Sequence, residues 1–245
     1  MFPIIFQIGP IAIYSYGFML AVAVIVCSFL AGRDAERMGI GKDFIYDFGF
    51  WVVISGLIGA RIYFILLSPR YFIENPIEIL MINKGGLAWQ GGLILGSIAG
   101  LFYVNKKNVN LPKFLDLFAP YIALGQAIGR VGCFLNGCCY GREDVHGIFF
   151  PVHDAYLIPV QLYSAFILFI IYLVLVIYRN RTIYSGTTIG VYLMLASAER
   201  FIVQFYRADY EPIAFNIGIF QMFCIFFFIL GAYAFLYFKS KSRQQ

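Results

Sequence analysis

Residues 124–142 read LGQAIGRVGCFLNGCCYGR and set Arg130 inside a segment otherwise fit for lipid. A charged side chain near the middle of a bilayer costs at least about 2.5–3.5 kcal/mol, so it is kept where it faces a partner, a cavity or a ligand. Gly125, Gly129, Gly132, Gly137 and Gly141 surround it, and glycines let a backbone or a ligand come close. Gln126 and Asn136 add donors and acceptors. Arg61 and Arg200 also sit in apolar surroundings. Three guanidiniums inside apolar spans suggest a site for an anionic lipid head group, because the planar fork of arginine can hold two phosphate oxygens at once.

Composition agrees. Hydrophobic residues make up 61% of the 245, aromatics 19% and charged residues 13%, whereas a soluble domain carries about 25% charge. Apolar spans of nearly the ~20 residues a bilayer requires run over 11–30, 44–67, 87–104, 114–134, 160–178, 188–205 and 217–238. The net charge of +5 is no sign of nucleic-acid binding, since the basic residues gather at span ends. Arg33, Arg37, Lys42, Lys106, Lys107, Lys113, Arg179, Arg181, Lys239, Lys241 and Arg243 fall on one side, eleven in all. Arg70, Lys84, Arg142 and Arg207 fall on the other. The expected fold is an all-α integral membrane protein of about seven transmembrane helices, N-terminus outside and C-terminus cytoplasmic. It forms a single polytopic membrane domain over 1–245, without internal repeats. The first span is too long for a signal-peptide core and has no basic residue before Arg33, so a retained helix is expected.

The connection 136–159 holds Cys138, Cys139, His146, His153 and Asp154, and its apolar run 148–152 suits the interface. A loop of that length beside a Gly-rich span is placed to cover a site. Cys133, Cys138 and Cys139 fall within seven positions near the outer face, where an oxidising compartment permits a Cys133–Cys138 or a Cys133–Cys139 disulfide. Connectivity cannot be read from spacing. No metal is expected, as further ligands are only the distant histidines. Cys27 and Cys224 read as core residues within helices.

Two further stretches carry chemistry. Gly85-Gly86 and Gly91-Gly92 flank Trp89-Gln90, and consecutive glycines suit an irregular, cavity-lining segment into which Gln90 points. Gly96 and Gly100 read equally well as helix-packing positions. In the sixth span Arg200, Gln204 and Arg207 recur at i, i+4 and i+7 on one helix face. As a purely internal ion-pair member, Arg200 would find Glu199 or Asp116, and Arg207 would be an interface anchor. Arg61, in Gly59-Ala60-Arg61, has a structural reading as well.

The run Gly125-Gln126, Gly129-Arg130, Gly132, Phe134, Asn136-Gly137 and Gly141 resembles the signature of the prolipoprotein diacylglyceryl transferase family. The resemblance extends to Tyr14-Ser15-Tyr16-Gly17, Gly59-Ala60-Arg61, the two Gly pairs, Pro159-Val160-Gln161-Leu162-Tyr163 and Arg200-Phe201 with Arg207. These blocks stand in family order over nearly the whole chain. The resemblance implies transfer of the diacylglyceryl group of phosphatidylglycerol to the thiol of a lipobox cysteine in a preprolipoprotein, with release of glycerol phosphate and without a cofactor. It implies a bacterial plasma membrane and an active site towards the outer face. Arg130 and Arg200 would hold the phosphate and the developing negative charge. Tyr16 would line the lipid cavity and donate a hydrogen bond, and Gln90 would take part at the reacting centre. Arg61, Gly85, Gly86, Gly91, Gly92, Gln126, Gly129, Asn136, Gln161 and Arg207 would bind substrate.

The departures from the family pattern cluster at that centre. Gln90 stands where a histidine is usual, Cys133 where an asparagine is, Cys138 and Gln204 where glutamates are, and Ile158 where a second histidine is. Glutamine cannot serve as a general base. His153 and His146 remain as candidate bases. A transferase that activates the thiol without the usual histidine is the leading expectation. Its alternatives are a paralogue acting on another acceptor, and an inactive lipid-binding or transport protein.

Overall fold

The computed structural model describes residues 1–8, 11–81, 86–213 and 217–242. Lys84, Gly85 and Arg243 lie outside them. In chain order the elements are β1 (Ile4–Ile8), β2 (Ile11–Tyr14), α1 (Ser15–Arg37), α2 (Lys42–Leu67), α3 (Pro69–Glu74), a 3-10 turn (Pro76–Leu80), α4 (Trp89–Lys106), α5 (Leu111–Asn136), β3 (Glu143–Phe150), β4 (Ala155–Leu157), α6 (Val160–Arg181), α7 (Thr187–Gln204) and α8 (Ile219–Ser242). Each expected span coincides with one long helix. Two short antiparallel pairs, β1–β2 and β3–β4, accompany them. The first helix therefore starts at Ser15 and not at 11, because the β-branched run before it pairs with β1. The Ser15 backbone N–H and its hydroxyl are taken up by the carbonyls of Pro3 and Phe2.

Among the described residues five helices, α1, α2, α5, α6 and α8, are long and apolar enough to cross a membrane. The other two long helices, α4 and α7, have 18 residues each and are diluted by polar and small ones. In α4 these include Gln90 and four glycines, and in α7 they include Glu199, Arg200 and Gln204. Large apolar side chains such as Phe220, Met222, Phe223, Phe226 and Ile229 of α8 stand exposed. Surface of that kind is far beyond what water tolerates, and lipid is its natural solvent.

Contacts divide the chain into two units, Met1–Ala31 with Pro112–Gln245, and Gly32–Leu111. In the first, Ala119, Ala123 and Ala127 form a stripe on α5, and Leu168, Ile171 and Leu175 of α6 and Tyr192 of α7 pack with it. Alanines at this spacing let the helices close without leaving a cavity. At Gly190 and Gly231, α7 and α8 touch so closely that a Cβ on either would lie 2.8 Å from the other's carbonyl oxygen. Gly132 does the same for α1, since a Cβ there would come within 2.9 Å of the Met19 Cβ. Asp116 of α5 receives the backbone N–H of Ile189 at 3.0 Å and that of Gly186, and so caps α7 from outside. In the second unit, a Cβ on Gly91 of α4 would overlap the carbonyl oxygen of Gly59 in α2.

Candidate functional site

The polar centre of the first unit lies where α5 and α7 end and α1 and α6 begin. It is built on the way α5 stops. Gly137 adopts φ +77°, its N–H bonds the Phe134 carbonyl at 3.1 Å, and the Cys138 N–H bonds the Cys133 carbonyl at 3.1 Å. This is the Schellman ending, in which the residue after the left-handed glycine returns to the residue five positions before it. Cys133 and Cys138 are thereby set side by side. Cys139 is itself left-handed, at φ +62°, and folds back onto them. The three Sγ atoms lie within 4.8 Å of one another, all as free thiols.

The turn is fastened from two sides. Gln161, at the start of α6, donates Nε2 to the Cys138 carbonyl at 2.7 Å. Residues 140–142 run between neighbouring strands of backbone. Gly141 N–H bonds Ile158 at 2.9 Å, Arg142 N–H bonds Tyr206 at 3.0 Å, and Ala208 N–H bonds Tyr140 at 3.2 Å. Any Cβ at Gly141 would sit 2.8 Å from the Ile158 and Tyr206 carbonyl oxygens. That tight passage brings Arg207 beside Cys139, and the guanidinium and the thiol are hydrogen-bond partners. Arg207 also donates Nε and Nη2 to the carboxylate of Asp209, both at 2.7 Å. Its hydrogen bonds, and then its charge, hold the Asp209 carboxyl below the usual carboxylate range. Hydrogen bonds from Cys133 and Cys138, followed by the Arg207 charge, hold the Cys139 thiol well below the ordinary cysteine value.

Arg130, one and a half turns before the end of α5, lies within electrostatic range of the Tyr16 phenol, Glu199 and Arg200. Tyr16 itself faces the three thiols. Arg200 is near Arg130, Arg207, Glu199 and Asp209, and its guanidinium stacks over the Phe220 ring at 5.7 Å. Its Nη1 is buried and has no hydrogen-bond partner among the described residues. Arg130 and Arg207 thus stand near a buried donor with no partner among the described residues, and removing such a donor from water is costly. Glu199 accepts from the Ser164 hydroxyl and moderates the charge. An apolar groove of about 300 Å³ adjoins Arg200, lined by Ser197, Phe201, Ile202, Cys224, Ile225 and Phe228 among others.

Most of the residues singled out in the sequence fall in this centre: Tyr16, Gln126, Gly129, Arg130, Cys133, Asn136, Cys138, Cys139, Gln161, Arg200 and Arg207. Gln126 bonds the Tyr192 phenol, and Asn136 bonds the Cys138 thiol. A Cβ at Gly129 would meet no atom within 4 Å, so that glycine leaves space where Gly132 closes it. Asp116, named above as a partner for Arg200, is instead the cap at the far end of α7. Asp209, Tyr192 and Ser164 were not anticipated. Asp209 alone had a local signal, its place two residues after Arg207.

Arg61, Gly86, Gln90, Gly91 and Gly92 belong to the second unit. Arg61 is buried there and spends its fork on backbone carbonyls, Nε on Ile79 at 3.0 Å and Nη1 on Gly86 at 2.9 Å, with Glu78 and Met81 beside them. Gly86 has φ +78°, and a Cβ on it would collide with Phe64. Gln90 is exposed at the second position of α4. Of the two histidines, His153 shares a 2.8 Å hydrogen bond with the Gly137 carbonyl and stacks by Tyr140, while His146 stands exposed by Asp144. A carbonyl only accepts, so Nε2 of His153 carries the proton.

Fold and site define a helical membrane protein with a cation-rich polar centre in its first unit. Residues 3–237 match the family described as prolipoprotein diacylglyceryl transferase. A phosphatidylglycerol--prolipoprotein diacylglyceryl transferase of Staphylococcus saprophyticus is 34% identical, over 94% of this chain and 86% of its own. That of Clostridium tetani is 31% identical, over 96% and 97%. That of Staphylococcus carnosus is 34% identical, over 98% and 91%. The chain belongs to the prolipoprotein diacylglyceryl transferase family, as a bacterial membrane transferase.

Proposed function

We propose that the protein moves the diacylglyceryl group of phosphatidylglycerol onto the thiol of a lipobox cysteine in a preprolipoprotein, releasing glycerol phosphate, in the bacterial inner membrane. The observation that carries this is the buried, unpartnered Nη1 of Arg200 between Arg130 and Arg207. A lipid phosphodiester satisfies that donor, and the same cations stabilise the charge that grows on the departing phosphate. An acyl chain of the lipid runs along the apolar groove between α7 and α8. Tyr16 donates to the phosphate or to the glyceryl oxygens. Gly129 leaves room for the lipid, and Gln126, Asn136 and Gln161 hold the walls. Gln90, Gly86, Gly91 and Gly92 serve the peptide or the head group from their own unit.

Seven spans are proposed, with α4 and α7 crossing despite their polar residues, because those residues are the ones the chemistry needs. The starts of α1 and α6 and the ends of α5 and α7 then share the outer side, and the eleven basic residues mark the cytoplasmic one. The active site opens towards the outer leaflet, where exported peptide arrives.

The test is expression in bacteria depleted of their own transferase, with the mass of an intact lipobox protein as readout. A gain of one diacylglyceryl group that is lost in Arg130→Ala and Arg200→Ala bears the reading out. No gain from the well-inserted wild-type chain sinks it for this substrate pair.

A further inference from the structure

The transfer described above uses none of the three thiols at the end of α5, yet the fold goes to some length to gather them. The Sγ atoms of Cys133, Cys138 and Cys139 all lie within 4.8 Å of one another, and the three side chains are mutual hydrogen-bond partners. A disulfide would use only two of them. The Schellman ending by itself sets Cys133 beside Cys138, through the 3.1 Å bond of the Cys138 N–H to the Cys133 carbonyl. The third sulfur takes further order. Cys139 is left-handed at φ +62° without being glycine, and the backbone bonds on residues 140–142 hold it there. Three converging donors fit a partner that takes three ligands.

We propose that Cys133, Cys138 and Cys139 form a binding site for a thiophilic d10 cation, zinc(II), held by three thiolates with water in the fourth position. Tetrahedral zinc binds thiolate at about 2.3 Å, which sets its sulfur ligands about 3.8 Å apart. The separations in this cluster are thus within about 1 Å of what the ion requires. Thiolate donors select zinc and copper(I) over magnesium or calcium, which prefer oxygen. The surroundings choose between the first two. Three thiolates around zinc(II) carry one negative charge, and the Arg207 guanidinium hydrogen-bonded to Cys139 supplies one positive charge, whereas copper(I) would leave two negative charges. Asn136 bonds the Cys138 sulfur, and Gln161 fixes the Cys138 carbonyl at 2.7 Å, so the ligands are oriented from outside as metal thiolates are. His153 spends Nε2 on the Gly137 carbonyl at 2.8 Å and is not counted as a ligand. Counted along the chain, ligands for a metal fall short; the turn after α5 is what brings three of them together. The ion would tie the end of α5 to the turn that runs on to Gly141.

The experiment uses the full chain in detergent. Zinc is measured by elemental analysis, and cobalt(II) serves as a spectroscopic stand-in. About one zinc per chain is expected, with a sulfur-to-cobalt charge-transfer band and the strong visible bands of a tetrahedral site. Cys133→Ser, Cys138→Ser and Cys139→Ser should each weaken zinc binding at least about 100-fold. The double variant Cys27→Ala, Cys224→Ala should keep full stoichiometry, because those thiols lie in helices away from the turn. Added zinc should raise the unfolding temperature of the wild-type protein, a readout that needs no variant to fold. Protein without zinc and without the cobalt bands overturns the proposal. So does binding unchanged in all three serine variants, uptake of copper(I) but not of zinc or cobalt, or a disulfide among the three cysteines in protein isolated without reductant. None of these results touches the transferase reading, which stands or falls on the lipidation assay.

Discussion

Arg207 gives both Nε and Nη2 to the carboxylate of Asp209, each at 2.7 Å, across a single intervening residue. The pair turns the guanidinium into a fixed wall of the site while leaving it hydrogen-bonded to Cys139.

Acid should undo this pair. Asp209 is depressed in the folded protein by its Arg207 partner. Its contribution is therefore fully present above the unfolded value, about 3.9, and lost as pH falls through the lower folded one. The Asp209 side chain is 51% exposed, so solvent screening limits the pair to about 1 kcal/mol. Thermal unfolding in detergent should place Asp209→Asn below wild type by a constant margin above pH 5. That margin should shrink below pH 4. Parallel curves down to pH 3 would contradict the assignment.

Asp116 is 4% exposed and caps α7 in place of its own N-cap residue, Gly186, which has no side chain to do so. Asp116→Ala leaves two backbone N–H groups without their acceptor and should cost about 1–2 kcal/mol. It stands some 20 Å along α7 from Arg200, at 1.5 Å per residue. The KM for phosphatidylglycerol should therefore stay within about twofold of wild type. An unchanged melting temperature would refute the cap.

Gly91 and Gly129 predict opposite outcomes for the same substitution. Gly91→Ala forces a methyl into the Gly59 carbonyl and should cost about 3 kcal/mol, seen as lost protease resistance of the Gly32–Leu111 unit. Gly129→Ala meets nothing within 4 Å and should gain up to about 1 kcal/mol from helix propensity. Its transfer rate should nevertheless fall, because the methyl enters space assigned to lipid. A Gly129→Ala enzyme at full rate would remove that assignment.

Arg200→Lys keeps the charge but not the fork. Bidentate phosphate binding predicts a loss of about 10-fold or more in kcat/KM for Lys and a greater one for Ala. A lysine variant as fast as wild type would show that charge alone suffices.

Much was legible in the chain itself. Arg130 and Arg200 declared themselves because a guanidinium within an apolar span needs a reason, and among the described residues five of the long helices announced themselves as runs of lipid-soluble side chains. The hairpins did not, since four-residue apolar runs read equally well as the beginning of a helix. Tyr192 and Ser164 were missed because nothing in their neighbourhood marks them, and Asp209 was missed although it lies two residues after Arg207. They matter only through partners, and those of Tyr192 and Ser164 are brought from distant helices.

Burial of apolar surface in lipid is a property of each segment alone, so the sequence by itself determined a helical membrane protein with guanidiniums inside apolar segments. Which cations stay free to bind was a matter of tertiary structure. Arg61 is consumed by four backbone carbonyls, Arg207 gives Nε and Nη2 to Asp209, and Arg200 keeps an unpaired donor. The same holds for the cysteines. Their spacing brought them near one another, but a left-handed glycine, a left-handed Cys139 and the clamp on Gly141 decided that three sulfurs meet beside a guanidinium. Hydrogen bonds are directional and short-ranged, so such pairings exist only once the backbone has been folded to present them.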